Sequence, residues 1–70
     1  MAKANFDFGY SCKKAVYLDQ KSIWVFEGEL FKVTEVHRNS ILLKCTYGLN
    51  KDKVIHISHG CLAEHFTTVV

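Results

Sequence analysis

Seventy residues, 49% hydrophobic and 23% charged, are enough for one small globular domain and exclude an intrinsically disordered chain. Nine Lys and Arg against seven Asp and Glu leave a formal charge of +2, which is too mild for a nucleic-acid binder relying on saturating positive charge. No apolar run approaches the roughly 18 residues of a membrane span, nothing N-terminal reads as a signal peptide, and Cys12, Cys45 and Cys61 are odd in number and far apart, so a cytoplasmic protein with reduced thiols and no membrane partner is expected.

In residues 1–11, Phe6, Phe8 and Tyr10 alternate, which fits either an added edge strand or an arm ordered against a partner or a second copy. Residues 15–18 supply a short opening strand. The β-branched and aromatic run Ser22, Ile23, Trp24, Val25 and Phe26 is the next, closed by a turn at Glu27, Gly28 and Glu29. Residues 30–36 form a third strand. A polar break over 37–39 follows, where Asn39 tolerates positive φ and suits a tight hairpin. In the strand over 40–46, alternation puts Ile41, Leu43 and Cys45 inside and Leu42 and Lys44 outside. A loop over 47–52 leads to a strand over 53–58, in which His56 points outward if Ile55 and Ile57 point in. Residues 59–65 are too short for a packed helix and read as one helical or 3-10 turn, and 66–70 return to strand propensity. With no proline, repeat or low-complexity tract, 1–70 is expected to be a single domain without linkers.

Five or six short antiparallel strands cannot make an ordinary sandwich, and closing them into a barrel removes exposed edges, so a mostly β small barrel with one short helical turn near the C-terminus is expected. The segments 24–29 (Trp-Val-Phe-Glu-Gly-Glu), Phe31 with Val33 and Val36, 39–43 (Asn-Ser-Ile-Leu-Leu) and 54–59 (Val-Ile-His-Ile-Ser-His) resemble the SH3-like small barrels, including the KOW and Tudor-like groups. The resemblance covers residues 15–70. Gly28 stands where a KOW-like module has its turn glycine, and the second glycine of that pattern is absent. Ile41, Leu42, Leu43 and Lys44 are also similar to a strand of Sm-like RNA-binding proteins, without the opening helix of that family. The resemblance implies a binding module and, through its KOW and Sm-like side, RNA as one ligand.

His56, His59, Cys61 and His65 read H-x2-H-x-C-x3-H, but no C-x2-C knuckle accompanies them, so satisfied edge histidines and buried cysteines are expected ahead of a metal site. Cys61 and His65 at i, i+4 lack an orienting group, the carboxylates show no pairing spacing, and no phosphate-cradling loop is present; a barrel this small also offers little volume for a pocket. The expectation is a non-enzymatic protein without a cofactor.

Binding is the remaining class. Trp24 and Phe26 share one face of their strand while Ile23 and Val25 share the other, and Leu42 points outward nearby in sequence, giving more apolar side chains than one core uses. Trp24, Phe26 and Leu42 are the expected anchors for a protein partner, self-association included, with Arg38 and Lys44 as charged rim. Such a chain would act as a small regulator or inhibitor, as bacterial and phage regulators do. The alternative is RNA or DNA tracked by Lys32, Arg38, Lys44, Lys51 and Lys53, with Tyr47, Tyr17 and Trp24 as stacking platforms and Lys13 and Lys14 adding charge.

Overall fold

The fold follows from period-two alternation, because a strand that buries every second side chain needs only one covering layer. The computed structural model describes residues 9–69. Its elements are β1 (Gly9–Cys12), β2 (Val16–Leu18), β3 (Ile23–Val25), β4 (Leu30–Val36), β5 (Ser40–Tyr47), β6 (Val54–Ser58), α1 (His59–His65) and β7 (Phe66–Val69). The mostly β fold with a short C-terminal helix is present, with seven strands rather than five or six.

Five strands form one antiparallel sheet in the order β6-β5-β4-β1-β7, and β2 pairs with β3 in a separate hairpin. Phe31 and Val33 of β4, Ile41, Leu43 and Cys45 of β5, and Ile55 and Ile57 of β6 all point to one side and are buried. Cys12, Val25 and Phe66 complete that core, where the Phe31 and Phe66 rings meet edge to face at 5.5 Å. Register shifts in the β4–β5 pair, at Thr46 of β5 opposite the start of β4 and at Thr34 in the middle of β4, bend the two strands, which curls the sheet over the core. Val16, Leu18 and Ile23 bring the hairpin against the same core.

Several expectations need adjustment. Tyr10 does lie on a strand, but β1 pairs with β4 on one side and β7 on the other, so it is a central strand and not an edge. Phe6 and Phe8 fall outside the described residues. Asn39 does not take positive φ; among the non-glycine residues described, Ser22 (56°) and Asp52 (74°) do. The polar side chains there tolerate that conformation where the chain turns after β2 and before β6. Finally, residues 59–65 form a seven-residue helix rather than a single turn. Ser58 caps it, its Oγ accepting the Cys61 N–H at 3.1 Å, and half-buried Cys61 and Leu62 pack against the core.

Candidate partner-binding surface

A buried polar joint holds β3 in place. Glu29, only 4% exposed, accepts hydrogen bonds from the Phe26 N–H (2.7 Å), the Asn50 N–H (3.0 Å) and Asn50 Nδ2 (3.0 and 3.2 Å). Asn50 Nδ2 also donates to the Trp24 carbonyl at 2.8 Å. One carboxylate and one amide therefore tie the backbone on both sides of Val25 to the loop between β5 and β6. Gly48 makes room for the joint: its φ is +130°, and a Cβ there would sit 2.5 Å from Glu29 Cγ. Sequence alone places Glu29 in a turn and Asn50 in a loop, and no local pattern links residues 21 positions apart.

Trp24, Phe26 and Tyr17 stand on the outer side of the hairpin. Tyr17 lies directly across from Trp24 in the β2–β3 register. Their ring centroids are 5.5 Å apart, and Trp24 stacks on Phe26 at 6.5 Å with 22° between planes. Tyr17, Trp24 and Phe26 are 45%, 50% and 43% exposed, while Val25 between Trp24 and Phe26 is completely buried. The two-faced strand is thus resolved: its aliphatic row is core and its aromatic row faces out.

Leu42 does not join this group. It is half-buried on the outer face of the main sheet, flanked by Glu35 and His56. The surroundings there are polar: His37 Nε2 lies 2.8 Å from Glu35 Oε1, His56 Nε2 is 2.6 Å from Ser40 Oγ, and His59 Nε2 is 2.9 Å from the His37 carbonyl. Of the rim residues, Arg38 is exposed in the β4–β5 turn, and Lys44 is exposed directly across from Lys32 on one side and Val54 on the other. Lys51 and Lys53 are exposed at the β5–β6 loop, and Tyr47 is 67% exposed at the end of β5. Lys13 is exposed after β1, and Lys14 pairs with Glu64 at 3.6 Å.

His56, His59, Cys61 and His65 do not converge. The His56 and His59 rings turn to Ser40 and the His37 carbonyl, while His65 Nδ1 donates to the Lys14 carbonyl at 3.0 Å. Among the described residues, no three His, Cys, Asp or Glu side chains are arranged to hold a metal ion. All three cysteines are free. Burial pushes the Cys12 and Cys61 thiols above their ordinary value. Burial, with Glu29 adding to it, pushes Cys45 up to about 11. None is a poised thiolate.

A cleft contradicts the expectation of little free volume. About 310 Å³ lie between β2 with its following turn and the far wall of β6 and α1, where His56, Ile57, Ser58 and Cys61 appear. A second cavity of about 310 Å³ adjoins it at Lys21 and is lined otherwise by Ile23, Lys53 and Val54. Among the described residues, no helix is long and apolar enough to cross a membrane. Comparison with protein-family models, with curated proteins and with solved structures finds no match to this chain.

Proposed function

We propose that this chain is a non-enzymatic interaction module of SH3-like small-barrel type, a small cytoplasmic regulator or inhibitor that binds a larger protein through Tyr17, Trp24 and Phe26. The observation that carries the proposal is a row of three aromatic residues, each nearly half exposed, in which Trp24 stacks on Phe26 and meets Tyr17 of β2 at a tilt, with the backbone at Trp24 and Phe26 clamped by Asn50 and Glu29. Exposed aromatics in contact are what interface cores are enriched in, and a clamped backbone lowers the ordering cost of binding. Half of three such rings amounts to roughly 300 Å² of apolar surface, or about 7 kcal/mol gross before association costs.

The test is capture of partners from a nuclease-treated lysate by the full chain and by the Trp24→Ser/Phe26→Ser variant, with folding of both checked by circular dichroism. A protein retained by the first and lost by the folded variant supports the proposal. Equal retention by both refutes it.

A second reading has its own observation. Lys32 and Lys44 are exposed and directly opposite one another, and like charges in that position repel unless an anion lies between them. With Arg38, Lys51 and Lys53 they would track a phosphate backbone, and Tyr47 would stack a base. That reading requires affinity for single-stranded RNA or DNA that falls steeply with salt. Salt-independent capture favours the aromatic platform instead.

A further inference from the structure

The two adjoining cavities run along one feature, the free edge of β6. That strand pairs with β5 alone among the described residues. Its ladder can be phased from the Cys45 N–H, which donates to the Lys53 carbonyl at 2.9 Å. Antiparallel bonding alternates, so Ile55 and Ile57 exchange bonds with Leu43 and Ile41. The N–H and C=O groups of Val54 and His56 and the N–H of Ser58, whose carbonyl starts α1, then face away from β5, into the cavities that these residues line. The opposite wall is the β2–β3 hairpin. A second globular sheet edge cannot enter a trough walled on both sides, whereas a single extended strand can. Lys21 and Lys53 both stand at the Val54 end, and neither takes part in an ion pair among the described residues.

We propose that the free edge of β6 is a strand-addition site. An extended peptide of about five residues, acidic at one end, pairs with Val54, His56 and Ser58 beneath the hairpin and sets its carboxylates against Lys21 and Lys53. Main-chain bonds supply the affinity and the two lysines select the charged end. The site rests on the protein-partner reading and says how such a partner is held, through a segment of extended chain. Cys61, half-buried at the far end of the trough, is a built-in reporter, since Cys12 and Cys45 are buried.

The probes are two acetylated, amidated peptides of alternating Val and Thr, one beginning and one ending in Glu-Glu. Added to the full chain, one of them slows amide exchange at Val54 and His56 and alkylation of Cys61 by about tenfold or more. Lys21→Glu/Lys53→Glu weakens that peptide by about tenfold, a loss of about 1.4 kcal/mol. His56→Pro abolishes binding while sparing the β5 ladder, because the N–H it removes faces the trough. Should that variant misfold, Val54→Pro removes the other such donor.

Absence of protection by either peptide at about 1 mM overturns the proposal. So does protection confined to β7, or protection of β6 that grows with protein concentration without peptide, which would give the edge to a second copy. The Trp24→Ser/Phe26→Ser variant separates the two readings. It should keep peptide binding, so failure of the peptides alone sinks the edge site and leaves the aromatic platform standing.

Discussion

Replacing Glu29 should cost this protein much of its stability, and the structure indicates how much. Glu29→Ala removes the acceptor for the Phe26 and Asn50 backbone N–H groups and two of the three contacts of Asn50 Nδ2. Asn50 Nδ2 keeps the Trp24 carbonyl, so the main loss is two orphaned donors. At about 1 to 3 kcal/mol for each, the expected destabilisation is roughly 2 to 6 kcal/mol. A domain of this size has only about 4 to 10 kcal/mol in total. Glu29→Gln should do little better. It keeps the shape but turns an NH2 toward donors, and only one side of the amide can accept. The assay is urea unfolding followed by fluorescence of Trp24, the single tryptophan, whose carbonyl the joint holds. With a slope of about 1 kcal/mol/M, the midpoint should fall by about 2 M or more. A shift below about 1 kcal/mol in both variants would mean that water replaces the carboxylate without penalty, and the clamp on β3 would be refuted.

Two further outcomes follow from the structure. The Cys45 thiol, held up to about 11 against an ordinary 9.0, keeps its proton in the folded protein while the unfolded chain loses it. The resulting stability is complete below pH 9 and is lost as pH rises through 11, on the order of 2 to 3 kcal/mol. Unfolding of wild type and Cys45→Ala across that window should show a steeper decline in the wild type, and parallel profiles would refute it. Lys44→Glu converts the Lys32–Lys44 repulsion into an opposite-charge pair and should raise stability by about 0.5 kcal/mol in low salt. A loss of stability would mean that Lys44 makes a contact other than the one with Lys32.

Much of the sheet was legible because alternation is local. Ile41, Leu43 and Cys45 had to share a face, as did Ile55 with Ile57 and Trp24 with Phe26, whatever else the chain did. Leu42 points outward for the same reason, but its neighbours Glu35 and His56 come from other strands and make its surroundings polar. The sequence marks Tyr17 as a stacking platform for nucleic acid, and only the hairpin register sets it against Trp24. The helix at 59–65 exceeds the single turn expected from its length because Ser58, which ends the preceding strand, caps it.

The sequence by itself therefore determined a small, mostly β protein, the inward positions of β5 and β6, and which side chains must travel together on each strand. Period-two geometry needs no knowledge of distant residues. Tertiary structure alone decided which apolar row of β3 faces out, that β1 is central, and that Glu29 meets Asn50. It also set the hairpin opposite the open edge of β6, leaving a trough between them. Each of these depends on which surface packs where. When both faces of a strand are apolar, local alternation is the same for either choice, and the core settles it by burying Val25 completely.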